Sequence, residues 1–207
     1  MIDQQKVNEL IETIVALEWD MFAETRNIGG VAWCQKDHET FEIMRRSQWR
    51  TMNQAVLASY RNDLEAAKLV GRNLVAEKYA RMMRYTSPGE YEQIQDAMPA
   101  LSERQEELAR EICDIFMEMD DAARKKYPAI SAAGRDSRSD DGGTSVRTYM
   151  LGELLTYSEN TLQEYLYHIK ACLQAGRNLS EETMEQTVLQ YGYVSLEDAE
   201  EKRKAQG

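Results

Sequence analysis

The chain has 207 residues, 43% of them hydrophobic and 29% charged, a composition that predicts one globular domain whose core needs no disulfide or structural metal. Lys plus Arg number 25 against 36 Asp plus Glu, for a formal charge of −11, and such a surface repels phosphate backbones, which argues against nucleic-acid binding. No run of about 18 apolar residues occurs, which argues against a membrane span.

Helical periodicity runs through the chain, with almost no alternation of the strand type. A first helix is predicted from about Gln4 to Ala23, broken by Asn27-Ile28-Gly29-Gly30. A second, long helix runs from about Asp37 to Val70 and stops at Gly71. A third covers Asn73 to about Tyr85, and a short fourth covers Pro88 to Ala97. Ser102-Glu103-Arg104-Gln105 reads as a capping box opening a fifth helix, closed near Lys126 by Tyr127-Pro128. The small, polar stretch from Ala129 to Thr144 reads as a flexible loop, or as a lid whose Arg135 and Arg138 bring an anion to the following helix N-terminus. A second long helix is predicted from Ser145 to Ala175, ended by Gly176, and further helices start at Ser180 and Ser195. The expected fold is all-α: a single-domain helical bundle over residues 1–207, with two long helices and several shorter ones. Gly-Arg-Asn-Leu occurs at 71–74 and again at 176–179, each time between helices. It reads as one corner used twice, with a left-handed Gly ending one helix and Asn capping the next.

The opening MIDQQKVNEL has neither a basic n-region nor an apolar h-region, so a signal peptide is not expected. Cys34, Cys113 and Cys172 are odd in number and scattered, which fits a reducing cytoplasm rather than a disulfide framework or a metal clip. His38 and His168 form no metal-binding pair, and Gly29-Gly30 opens no phosphate loop, so neither a metal nor a cofactor is expected.

Polar residues on inward faces carry the functional reading. Glu18 lies in the middle of an apolar stripe that includes Ile11, Ile14, Val15, Met21 and Phe22. A carboxylate there needs a cation or a raised pKa. On the second helix, Arg45, Gln48, Ser59 and Asp63 interrupt the inner stripe, and Arg45 is the expected partner of Glu18. Lys78 and Arg81 share a face with Leu74 and Tyr85 and read as snorkelling at a rim. On the Ser145 helix the core stripe is Leu151, Leu154, Leu155, Leu162, Tyr165, Ile169 and Leu173, while Tyr149, Glu153 and Tyr157 line the opposite side. Two tyrosines there suggest a covered face, either on the polar interior or at a homodimer interface. Cys34 stands just before a helix start, where a thiol can be activated.

The expectation is therefore an enzyme, a lyase, isomerase or hydrolase, with an interior polar pocket. Glu18, Asp63 and Cys34 are the catalytic candidates. Arg45, Gln48, Arg72, Lys78, Arg81, Arg135, Tyr149, Glu153 and Tyr157 would hold a small carboxylate or phosphate. The alternative is a non-catalytic module that binds a small anion or a partner protein. A magnesium site on Glu18, Asp63, Glu77 and Glu153 is a third option. A closed pocket lined by Glu18, Arg45 and Asp63 would favour the enzyme, and a core filled with paired ions would favour the module.

Several peptides carry a family resemblance: LEWDMF (17–22), NIGG (27–30), CQ (34–35), TFEIMRRSQW (40–49), GRNLVAEKYARMM (71–83), TYMLGELLTYS (148–158) and QYGYVSLEDAE (190–200). Over essentially its whole length the chain resembles the bacterial domain-of-unknown-function 4125 family. The resemblance implies a bacterial origin and a single domain. It assigns no reaction, cofactor or catalytic residue.

Overall fold

The structure, a computed structural model, describes residues 4–25, 37–138 and 143–205. Every regular element among them is helical: α1 (Gln4–Glu24), α2 (His38–Trp49), α3 (Gln54–Leu69), α4 (Leu74–Thr86), α5 (Pro88–Ile94), α6 (Glu103–Lys126), α7 (Pro128–Ala132), α8 (Val146–Leu154), α9 (Glu159–Gln174), α10 (Leu179–Gln190) and α11 (Leu196–Lys204), with a 3-10 turn at Gln95–Ala97. Among the described residues no helix is long and apolar enough to cross a membrane.

Both long helices expected from periodicity are split. Asn53 stops the first, its side chain accepting from the Val56 N–H at 3.0 Å and opening α3. Ser158 stops the second, accepting from the Thr161 N–H at 3.2 Å and opening α9. In each case a short polar side chain takes the place of the backbone carbonyl that a continuous helix would use. The split at Ser158 also redraws the faces. α8 buries the four consecutive residues Leu151, Gly152, Glu153 and Leu154, and of the two coverings offered for their face, Glu153 and Tyr157 take the polar interior. Leu173, assigned to the core stripe, is 51% exposed.

α1 packs on α2, α3 and α4, α3 on α9, α9 on α6, and α8 bridges α4 and α6. The main core gathers residues from these helices, with Trp49, Leu57, Leu64, Leu108, Ile112, Leu162 and Ile169 fully buried. Gly152 is where α8 meets α4 most closely. A Cβ there would stand 2.5 Å from Met82 Cγ and 3.0 Å from the Lys78 carbonyl oxygen, so only glycine allows this approach. A small second cluster, Tyr127, Val188, Leu196 and Ala199, holds α11 and α10 against α7.

The repeated tetrapeptide makes the same corner twice. Gly71 and Gly176 have φ of 71° and 69°. The Arg72 N–H donates to the Ala67 carbonyl and the Arg177 N–H to the Cys172 carbonyl, both at 2.9 Å. Asn73 and Asn178 cap α4 and α10, and their amides reach the carbonyls of Met21 and Met119. Each arginine closes on a glutamate five residues on, Arg72 on Glu77 and Arg177 on Glu182.

The stretch expected to be a loop from Ala129 to Thr144 begins as helix instead. Both carboxylate oxygens of Glu200 accept from the Ala129 and Ile130 N–H groups at 3.0 and 2.9 Å, stabilising the start of α7. Further along, Ser137 bonds to Asp120 and Asp121, and Arg138 pairs with Asp121 at 2.7 Å. Arg138 is thus tied to α6 and not held open for an anion. The remaining part of the supposed lid, 139–142, lies outside the described residues.

Candidate functional site

Two polar assemblies meet at Tyr157. The first is a charge network inside the bundle, drawn from α1, α2, α3, α4 and α8. Arg45 is its hub. Arg45 Nε donates to Glu18 Oε2 at 2.7 Å and Nη2 donates to Glu18 Oε1 at 2.5 Å. Nη1 and Nη2 also donate to the two oxygens of Glu153 at 3.1 and 3.0 Å, and Nη1 donates to Gln48 Oε1 at 2.8 Å. All five guanidinium N–H groups are therefore used.

The carboxylates are filled in the same way. Glu18 accepts additionally from the Trp49 indole N–H at 3.1 Å and from the Tyr60 hydroxyl at 3.0 Å. Glu153 accepts from Lys78 Nζ at 2.5 Å, the Tyr157 hydroxyl at 2.7 Å and Gln48 Nε2 at 3.1 Å. Two carboxylates, one guanidinium and one ammonium sum to zero, which is the arrangement a buried ionic cluster needs. Burial works against the Glu153 charge, but Arg45 and Lys78 outweigh it and hold that carboxyl well below its usual range. Burial likewise opposes the Arg45 charge, and Glu153 and Glu18 outweigh it, raising its pKa. For Lys78 burial prevails over Glu153, and its pKa is lowered. The Tyr60 and Tyr157 hydroxyls are pushed up by burial and by the neighbouring carboxylates, so both act as donors.

The helical phase of the sequence brings Glu18, Arg45 and Gln48 together as expected. Lys78 departs from the expectation: it turns inward to Glu153, its side chain only 15% exposed. Trp49 and Tyr60 were not singled out from sequence. Their rings stack at 4.7 Å and look like plain core, yet each carries one polar tip aimed at Glu18.

The second assembly is a cleft of about 410 Å³ at the α8–α9 break, lined among others by Asp63, Arg72, Leu74, Arg81, Pro99, Leu101, Gln105, Thr156, Tyr157 and Ser158. Such a volume suits a small molecule. Arg72, bound to Glu77, forms one side. Asp63 uses one oxygen, Oδ2, to accept from the Ser158 N–H at 3.0 Å and the Thr161 hydroxyl at 2.6 Å, tying α3 to the start of α9. Arg81 is 4% exposed and faces no carboxylate within ion-pair distance among the described residues. Its Nη2 donates to the Pro99 carbonyl at 2.8 Å, and its Nε is buried without a partner. Burial lowers the Arg81 pKa. Gln105, Thr156 and Ser158, which complete the wall, were not predicted. The capping box at Ser102 was the one signal pointing to Gln105.

Tyr149 lies outside both assemblies. The Arg135 guanidinium stacks 3.7 Å from its ring centroid and Lys78 Nζ stands 5.2 Å from it. Arg135 thus lies near the network's outer edge, through Tyr149, rather than on Arg45. Cys34 lies outside the described residues. Asp63 and Glu77 stand apart from Glu18 and Glu153, and among the described residues no three His, Cys, Asp or Glu side chains converge as a metal site. The convergence expected for magnesium is not formed.

A family model described as protein of unknown function, DUF4125, matches residues 8–201. No curated protein and no solved structure matches the chain.

Proposed function

The chain belongs to the DUF4125 family of proteins of unknown function, and from that premise we propose that it is a small-anion binding module whose site is the cleft beside Arg81. One observation carries this reading: a buried arginine that forms no ion pair among the described residues, and whose Nε has no partner, lines a cleft large enough for a small molecule. Glu77 and Glu106 act on Arg81 only from beyond ion-pair distance, and a carboxylate or phosphate in the cleft would give the guanidinium a close counter-charge. The Glu18–Arg45–Glu153 network supports binding over catalysis. Every donor on Arg45 and the oxygens of both carboxylates are engaged within the protein, so Glu18, one of the two acid/base candidates, faces no substrate-sized space. Among the described residues an enzymatic reading keeps one foothold, Asp63, a carboxylate on the wall of the same cleft.

The test is thermal unfolding with inorganic phosphate, acetate and 4-methylpentanoate. At about a hundredfold excess over Kd, binding stabilises by ~2.7 kcal/mol, which raises the Tm of a chain this size by roughly 5–10 °C. Arg81→Gln should abolish the response. Ala100→Trp, an exposed wall position, should block it without touching the core. Identical responses from native protein and both variants would refute the site.

A further inference from the structure

Beyond a lone anion, the cleft has a second unspent group. Most of its polar side chains are already used within the protein. Arg72 is clamped on Glu77. Gln105 accepts from the Ser102 N–H and donates to the Tyr157 carbonyl. The Thr156 hydroxyl donates to the Glu153 carbonyl, the Ser158 hydroxyl serves Thr161, and the Tyr157 hydroxyl serves Glu153. What is left is the part of the Arg81 guanidinium not used by the Pro99 carbonyl, and one oxygen of Asp63. Both protein donors on Asp63 go to Oδ2, and among the described residues Oδ1 accepts from none.

A cation and a carboxylate oxygen thus line one cleft without pairing with each other. A ligand with a single negative charge would satisfy Arg81 and leave Oδ1 of Asp63 without a donor. A ligand with separated charges of both signs satisfies both groups. The wall also holds the apolar side chains of Leu74, Pro99, Leu101 and Leu155, which suit a short aliphatic chain.

We infer that the cleft takes a small aliphatic aminocarboxylate, its carboxylate on Arg81 and its ammonium on Oδ1 of Asp63. This rests on the anion-binding reading and narrows it. The recognition is by charge-assisted hydrogen bonds at both ends, with the carboxylate able to engage the guanidinium through more than one N–H.

Calorimetric titration with three matched probes tests it: L-leucine, 4-methylpentanoate, which lacks the ammonium, and 3-methylbutylamine, which lacks the carboxylate. Leucine should bind at least about tenfold tighter than either truncated probe, the effect of one charge-assisted contact. Asp63→Asn should erase the preference for leucine over 4-methylpentanoate. The asparagine oxygen can still accept from Ser158 and Thr161, so α9 keeps its tether. Arg81→Gln should weaken both carboxylate probes. If Asp63→Asn does not fold, the three-probe comparison on the native protein decides alone. Equal binding of leucine and 4-methylpentanoate, abolished by Arg81→Gln, overturns the aminocarboxylate and leaves the anion site standing. Arg81-dependent binding of phosphate with no binding of leucine does the same. No heat from any of these probes or from phosphate overturns both.

Discussion

Replacing Glu18 by Gln perturbs the network at its most enclosed point. Glu18 is 2% exposed, and each of its oxygens faces two donors: Oε1 the Arg45 Nη2 and the Tyr60 hydroxyl, Oε2 the Arg45 Nε and the Trp49 indole. An amide nitrogen at the Oε2 position sets donor against donor twice, and at the Oε1 position once, since the Tyr60 hydroxyl can turn to accept. The buried cluster also moves from neutral to a net charge of +1. Breaking a buried pair in this way costs about 3–5 kcal/mol, and at roughly 2–4 °C per kcal/mol for this chain length the Tm should fall by about 6–20 °C. The adjacent arginine provides the control. Arg46 pairs with Glu12 at 2.7 Å, but the Glu12 side chain is 56% exposed. Glu12→Gln should therefore cost no more than about 1 kcal/mol. Scanning calorimetry of both variants at neutral pH reads the difference. A Glu18→Gln melt as mild as that of Glu12→Gln would refute the reasoning, because the cluster would then gain nothing from its burial and closure.

Gly152→Ala should destabilise by about 1–3 kcal/mol in urea titrations, because its methyl group has no room between Met82 and the Lys78 carbonyl; an unchanged midpoint would mean that α4 and α8 can separate freely. His168 is buried, its Nε2–H donating to the Thr51 carbonyl at 2.8 Å, and burial lowers its pKa from 6.5. The unfolded chain then takes up the proton first, so stability should decline as pH falls below 6.5. Urea midpoints measured from pH 7 to 5 should show that decline in native protein and a shallower one in His168→Gln, and parallel curves would assign the slope elsewhere.

Helical phase made Glu18 and Arg45 legible because a single helix face is a local property. The apolar residues one and two turns away from Glu18 are enough to show that it is enclosed. The breaks at Asn53 and Ser158 were hidden because apolar spacing continues across them, while the cap depends on one side chain competing with the backbone. The break at Ser158 in turn left open whether Glu153, opposite the core stripe, faces the polar interior or a second copy. The aromatic donors Trp49 and Tyr60 read as packing, since nothing local shows where an indole N–H points. The cleft was the least legible feature. Its wall comes from α3, α4, the α5–α6 connection and the α8–α9 break, and what distinguishes Arg81 is a missing neighbour, which no local pattern records.

The wiring of Arg45 also bears on how the chain reaches its fold. Its bonds join residues 27 and 108 positions away, and Lys78 meets Glu153 across 75. No pair of neighbouring helices can complete this cluster, and a half-built version would leave a charge out of water with nothing opposite it. It is therefore expected to close after α8 has docked, late on the route to the native state. Contacts made that late slow escape more than they speed arrival. Such a network would act as a latch on the finished bundle: loosening it should shorten the lifetime of the folded molecule while leaving the time needed to form it nearly unchanged.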